Sequence, residues 1–204
     1  MDLIGFLFRW SHVLFGITWI GMLYYFNFIQ GGYFKQASAE GLADAKAKLA
    51  PSALWWFRWG AMGTFITGLA LLGKLAIGLN NYIIVGAIFG TIMFLNVWLI
   101  IWPNQKIALG MAEGDAPAAG AKALLASRHN VLYSAPMAFC MLASGHPDPS
   151  LGWNLYSSMS NSLIVMLVII AALQANAMFG KQGPLTTVKG VIHASLGLTA
   201  EIGR

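Results

Sequence analysis

The sequence predicts an all-α integral membrane protein, a bundle of five transmembrane helices joined by short polar or amphipathic helices. Its composition is 58% hydrophobic and only 9% charged, whereas about 25% of residues are charged in soluble globular proteins. Five apolar stretches approach or exceed the roughly 20 residues that a helix needs to cross a bilayer. They are residues 3–29, 54–79, 82–102, 129–147 and 155–179. Every Asp and Glu falls outside these stretches, which argues against a proton pump or an ion-coupled carrier.

The first span, from Leu3 to Ile29, carries the residues of most functional interest. Arg9, His12, Gly16 and Trp19 share one face of a helix with 3.6 residues per turn. An ionisable group at membrane depth costs about 2.5 to 3.5 kcal/mol unless a neighbour pairs with it. We therefore expect this face to point toward other helices, with His12 as the leading site residue.

Polar sequence connects the first two spans. Residues 31–53 are rich in Ala and carry both carboxylates and lysines, which predicts a short polar helix outside the membrane. Pro51 is expected to end that helix. The second span then opens with WWFRWG, whose tryptophans are typical of a membrane–water interface and whose Arg58 can extend toward lipid headgroups.

The third span begins after a tight turn predicted at Asn80 and Asn81. Within it, Gly86 and Gly90 form a GxxxG face, a motif that more often serves internal packing than dimerisation. A second polar connection follows, from Pro103 to Ser127, and is expected to end in an Ala-rich helix.

The fourth span has a histidine at each end and a proline inside. Pro136 is expected to kink the helix. At 1.5 Å per residue the span is about 28 Å long, so His129 and His146 should lie near opposite interfaces. Neither position is as deep in the membrane as His12.

The transmembrane domain is predicted to occupy residues 1–179, and residues 180–204 form an amphipathic tail. Val188, Ile192 and Leu196 fall on one side of a helix in this tail. That pattern predicts a cytoplasmic segment that lies on the membrane surface.

Lysine and arginine are distributed unequally between the two faces of this bundle. Ten of the 12 flank the first loop, the third loop or the tail; they are Lys35, Lys46, Lys48, Arg58, Lys106, Lys122, Arg128, Lys181, Lys189 and Arg204. The positive-inside rule then places the N-terminus outside and the C-terminus in the cytoplasm. We attribute the net charge of +5 to membrane topology. A nucleic-acid-binding surface is disfavoured, because no basic cluster is interleaved with aromatic residues expected to be exposed.

The histidines suggest a b-type haem. Cys140 is the only cysteine, so this sequence has no CxxCH motif for covalent haem attachment. Two imidazoles at matched depth on facing helices can ligate a haem iron from opposite sides. His12 and His146 form the best outer pair, although their depths differ by about 8 Å at 1.5 Å per residue. The alternative is that His12 is a structural residue hydrogen-bonded to Ser or Thr.

Four segments stand out as a set: RWSHVLFGITWIG, WWFRWGAMGTFITG, NVWLIIWPNQK and SRHNVLYSAPMAFCMLASGHP. Together they resemble the membrane domain of the bacterial membrane-bound urate hydroxylases. The positions that fit the family's motifs are His12, Trp19, Asn104, Gln105, His129, Asn130, Pro136 and His146. The first helix is also similar, more distantly, to that of the membrane-type protoporphyrinogen oxidases, in which a first-helix histidine ligates haem b.

The resemblance implies a redox protein of the bacterial inner membrane and again implicates His12 as a haem ligand. Full-length urate hydroxylases of this kind carry a C-terminal cytochrome c domain and a longer connection between the first two helices. This sequence departs from that pattern, so an electron acceptor is expected on another chain.

Two functions remain open at this point. In the first, haem b bound by His12 and a second histidine, His146 or His129, passes electrons from a small reduced substrate such as urate to a separate cytochrome c or membrane partner. Arg9 could pair with a haem propionate, and Trp19 lies on the same helix face. In the second, the chain is a non-enzymatic subunit of a larger respiratory or photosynthetic membrane complex, and its histidines are satisfied by hydrogen bonds.

Overall fold

The computed structural model describes residues 3–74, 80–145 and 161–202. Every regular element within those ranges is helical, which confirms the all-α prediction. The α-helices are α1 (Leu3–Tyr24), α2 (Gly31–Gln36), α3 (Ala39–Asp44), α4 (Ala50–Lys74), α5 (Asn81–Leu95), α6 (Trp102–Ala108), α7 (Ala116–Ala143), α8 (Asn161–Phe179) and α9 (Val188–Ile202). Short π-helical segments at Tyr25–Gln30, Ala45–Leu49 and Asn96–Ile101 join several of them, and Gly183–Thr186 is a 3₁₀ turn.

Two continuous helices of the described residues are long and apolar enough to cross a membrane, Leu3–Gln36 and Asn81–Ala108. A shorter apolar helix covers Leu163–Phe179. The predicted second and fourth spans lie largely in α4 and α7, which do not meet the same criterion. The five-span bundle therefore stays a prediction.

The predicted end of the first polar helix is wrong. Pro51 does not end a polar helix: it lies in the first turn of α4, and the backbone is helical on both sides of it. Helical backbone also continues beyond the predicted third span to Ala108, with Pro103 in the first turn of α6. Proline is tolerated in a first turn because the backbone N–H that it lacks has no helical partner there in any case.

The chain forms two compact units. Unit 1 consists of Met1–Leu75 and Phe94–Ser127, and in it α1 packs along α4. The helices approach closely at Gly60, where a Cβ atom would lie 3.0 Å from the backbone nitrogen of Trp19. Trp19 is buried at this contact.

Unit 2 consists of Ala76–Met93 and Arg128–Arg204. Asn80 caps α5, since its Oδ1 accepts a hydrogen bond from the backbone nitrogen of Ile83 at 3.0 Å. A Cβ at Gly86 would lie 3.1 Å from Cβ of Cys140. The GxxxG face of α5 is thus occupied at Gly86 by contact with α7.

The tail helix α9 packs one of its faces against the rest of unit 2. In α9 the buried residues are Val191, Ser195 and Ile202, whereas Leu196 is 56% exposed. The contact with α7 is made by the face that carries Ser195, and the stripe that contains Leu196, predicted to lie on the membrane surface, stays a prediction.

Candidate functional site

His12 is held between α1 and α4 in unit 1. Its Nδ1 lies 2.9 Å from the carbonyl oxygen of Thr64 and 3.1 Å from Oγ1 of Thr67. A carbonyl oxygen can only accept, so Nδ1 carries the proton and Nε2 keeps its lone pair. Within the described part of the chain no hydrogen bond reaches Nε2.

This arrangement is the one that metal-ligating histidines usually have. Such a histidine donates its other ring N–H to a carbonyl or carboxylate, which fixes both the tautomer and the ring orientation. Gly68 of α4 also lies close to the ring of His12. A Cβ atom added at that glycine would be 3.1 Å from Cε1 of the ring. The hydrogen bond to threonine expected under the structural reading is therefore present, and it leaves the second nitrogen available as a ligand.

The other predicted residues of the first helix differ in exposure. Trp19 is 2% exposed, and its indole Nε1 has no hydrogen-bond acceptor among the described residues. Arg9 is exposed, although it was expected to point toward other helices with His12. Of the predicted stripe, the part from His12 to Trp19 therefore contacts α4, and Arg9 at its N-terminal end does not lie in that contact.

His129 lies in unit 2 and is fully buried. Its Nε2 is 2.9 Å from Nδ2 of Asn176, and an amide NH₂ can only donate, so Nε2 accepts that bond. His146 falls outside the described residues. His193 is exposed on α9.

The residues that fit the family's motifs in α6 and α7 make internal hydrogen bonds. Asn104 donates to the carbonyl oxygen of Ile100 at 2.7 Å. Asn130, which is fully buried, donates to the carbonyl oxygen of Met93 at 3.0 Å. Both side chains stabilise the helical backbone of their own unit.

Unit 1 also contains a cavity of about 450 Å³. Its lining includes the aromatic ring of Phe26 and five polar side chains, those of Asn27, Gln30, Lys46, Gln105 and Ser127. No Asp or Glu is among the described residues that line it. The described lining is therefore mostly apolar and partly aromatic, with a few amide and hydroxyl groups and one ammonium group, that of Lys46.

Two of the amide side chains that line this cavity have an oxygen without a partner among the described residues. Oδ1 of Asn27 and Oε1 of Gln30 are buried and accept no hydrogen bond from the described residues. The amide of Asn27 is held in place by its Nδ2, which donates to Oγ of Ser127 at 2.8 Å and to the carbonyl oxygen of Leu23 at 2.9 Å. Unpaired buried acceptors are costly, and a bound donor would remove that cost.

Sequence reasoning missed the threonines that orient His12 and most of the cavity. Thr64 and Thr67 are three residues apart and so share a face of α4, but one sequence does not show which helix that face meets. Gln105 was singled out by its motif, whereas Asn27 and Gln30 carried no signal beyond being amides at the end of an apolar helix.

The described residues fit one axial position of a haem, namely Nε2 of His12. A group of three or more His, Cys, Asp or Glu able to hold a metal ion does not occur among them. Of the other histidines predicted as ligands, His146 lies outside the described residues, and Nε2 of His129 already accepts a hydrogen bond from Asn176.

The urate oxidase N-terminal family model matches residues 74–199. No curated protein and no solved structure matches the chain. The matched segment includes Asn104, Gln105, His129, Asn130 and Pro136, on which the resemblance in part rested, while His12 lies before it. Because the match covers more than half of the 204 residues, the chain belongs to the urate oxidase N-terminal family.

Proposed function

We propose that this chain is a membrane redox domain that binds haem b through His12 and passes electrons from a small reduced substrate to a separate cytochrome c or membrane partner. The observation that carries the proposal is the fixed tautomer of His12, whose Nδ1 donates to the Thr64 carbonyl oxygen and whose Nε2 is left as a ligand atom. Membership of the urate oxidase N-terminal family makes urate the first substrate to test.

The proposed setting is the bacterial inner membrane, crossed five times with the N-terminus outside. Two apolar helices of sufficient length and the unequal distribution of lysine and arginine support this placement. On it, His12 lies within the first span and the cavity lies toward the cytoplasmic end of the same helix.

Each residue of the site has a distinct role in this proposal. Thr64 and Thr67 hold the imidazole of His12 in one orientation, so that no reorganisation of the ring is needed when iron binds. Arg9, one helical turn away, can pair with a propionate. Trp19 contributes a buried apolar surface, which excludes water. When bound, haem supplies one-electron oxidation and reduction.

We assign the substrate to the cavity of unit 1. An oxidised purine presents ring N–H donors, carbonyl acceptors and a negative charge near neutral pH. The unpartnered oxygens of Asn27 and Gln30 suit the donors, Gln105 can serve the acceptors, and Lys46 suits the charge in a lining without carboxylates. A ring of that kind can also pack against Phe26.

An absorption spectrum of the purified protein tests the haem assignment directly. We expect a Soret band that shifts when dithionite reduces the sample, and the same shift when urate is added without oxygen. A spectrum without a Soret band would favour the alternative function, a non-enzymatic subunit of a larger membrane complex. A haem that dithionite reduces and urate does not would keep the redox domain and reject urate as the donor.

A further inference from the structure

Two cations flank a single indole in unit 1. The guanidinium carbon of Arg58 lies 3.3 Å from the ring centroid of Trp102, and Nζ of Lys106 lies 5.6 Å from the same centroid. Arg58 is on α4, and Lys106 is one helical turn after Trp102 on α6. Helix packing and the chain direction thus bring two positive charges to one aromatic ring.

Neither cation is neutralised by an acid in the part of the chain that the structure describes. In the same unit, the carboxylate of Asp44 pairs with Lys48 instead. Nε and Nη1 of Arg58 are buried and donate no hydrogen bond to any described residue. A guanidinium held against an indole gains a cation–π interaction, but its N–H donors still require acceptors.

The surroundings of this pair are those of a membrane interface. Trp55, Trp56 and Trp59 are each about half exposed on the first turns of α4, next to Arg58. The indole of Trp98 packs against that of Trp59, with ring centroids 5.9 Å apart. Tryptophans gather at the level of the lipid headgroups, so the two cations lie where a headgroup phosphate would be.

We propose that Arg58, Lys106 and Trp102 form a binding site for the phosphodiester of an anionic phospholipid. The phosphate oxygens accept from the guanidinium N–H groups of Arg58, for which a planar fork is well suited. The ammonium of Lys106 supplies a second positive charge. Basic sites between helices on the cytoplasmic side recognise anionic headgroups by this chemistry, and the acyl chains would lie along the exposed tryptophans.

Native mass spectrometry of the full chain tests this site without reference to haem or urate. The purified protein in mild detergent is mixed with equal amounts of phosphatidylglycerol and phosphatidylcholine that carry the same acyl chains. The protein is expected to retain at least about fivefold more phosphatidylglycerol. The double variant R58Q/K106Q should retain the two lipids about equally, because both charges of the site are lost.

A matched control removes the same total charge from exposed positions. The variant K35Q/K181Q changes two lysines that are exposed on the described surface and should keep the preference. If R58Q/K106Q does not fold, K106Q alone serves, since Lys106 is half-buried at the edge of the site; its preference should fall about threefold. An unchanged preference in either site variant, or an equal loss in K35Q/K181Q, would overturn the proposal.

Inorganic phosphate distinguishes a lipid from a free anion. If roughly 10-fold molar excess of phosphate over lipid displaces phosphatidylglycerol completely, the site binds free phosphate and the lipid assignment is wrong. Retention of the lipid supports the assignment. A His12 variant without haem should retain the lipid preference, which keeps this test separate from that of the proposed function.

Discussion

The hydroxyl of Ser195 on α9 donates to the carbonyl oxygen of Leu132 on α7 at 2.9 Å. In a regular helix that carbonyl would accept from the backbone nitrogen four residues later, but position 136 is Pro and has no N–H. Ser195 is 4% exposed, so water does not replace the missing donor. The tail helix therefore satisfies the acceptor that the proline of α7 leaves open.

Replacing Ser195 by Ala should lower the free energy of unfolding by about 1 kcal/mol, the scale of an interhelical hydrogen bond. The loss should be smaller in a Pro136→Ala background, because the alanine N–H then serves the Leu132 carbonyl. Unfolding of the four proteins in a denaturing detergent titration measures this double-mutant cycle.

Thr199→Val is the matched control for that cycle, since Oγ1 of Thr199 donates within its own helix to the carbonyl oxygen of Ser195. It should cost the same in the native background and in the Pro136→Ala background. If Ser195→Ala costs equally in both backgrounds, the proposed link between Ser195 and the proline is wrong.

His12→Ala should abolish haem binding, because it removes the imidazole whose Nδ1 is held by Thr64 and whose Nε2 is left available between α1 and α4. The Soret absorbance per protein, measured after purification, checks this expectation. His146→Ala should lose or weaken haem, whereas His193→Ala, in an exposed part of α9, should leave it unchanged. A His12 variant with full haem content would remove the assignment.

Thr67→Val tests the orientation of His12 rather than its presence. The variant loses the Oγ1 that lies 3.1 Å from Nδ1 and should bind haem roughly tenfold more weakly, as is usual when a partner of a ligating histidine is lost. Thr91→Val is the control, since Oγ1 of Thr91 donates to the carbonyl oxygen of Ala87 in its own helix. Haem titration of the apoproteins compares them, and equal affinities for the two variants would contradict the role of Thr67.

The helices were predictable because apolar runs and caps are local signals. Asn80 illustrates this: an asparagine before an apolar stretch is a typical N-cap, and it caps α5. The helix ends at Gln36 and Ala108 were not predictable, because helical backbone continues through polar sequence wherever no residue stops it.

The site was predictable only in part. His12 stood out because an imidazole inside an apolar span needs a partner, and it has two in Thr64 and Thr67. Which threonines these are depends on how α1 packs on α4, and that register is not encoded in either helix alone. The cavity is lined by residues that are far apart in sequence, such as Asn27 and Gln105. No local sequence pattern therefore predicts it.

The proposed topology places the C-terminus in the cytoplasm. A reporter fused after Arg204 that is active only in the periplasm, such as alkaline phosphatase, should give no activity, while a cytoplasmic reporter at the same point should be active. Moving the fusion to the predicted connection between the second and third spans, after residue 80, should reverse the two results. Periplasmic activity at the C-terminus would refute the five-span arrangement.

Stable partnership with other membrane chains is the last expectation. A domain with few charges on its outer face cannot steer a soluble electron carrier well, since steering depends on complementary charge. Packing surfaces must supply the contact instead. Gly86 is already in contact with Cys140, so exposed faces are better candidates. One is the face of α8 on which Val168 is 63% exposed.

Because Cys140 is the only cysteine and is buried, a Val168→Cys variant carries one accessible thiol for a photo-cross-linker. The Val168→Cys protein is cross-linked in the membrane and purified in mild detergent, and it should be recovered joined to a partner chain. A Leu196→Cys variant, on the exposed side of α9, serves as the comparison. An uncross-linked, monodisperse monomer that oxidises urate unaided would show that the chain needs no such partner.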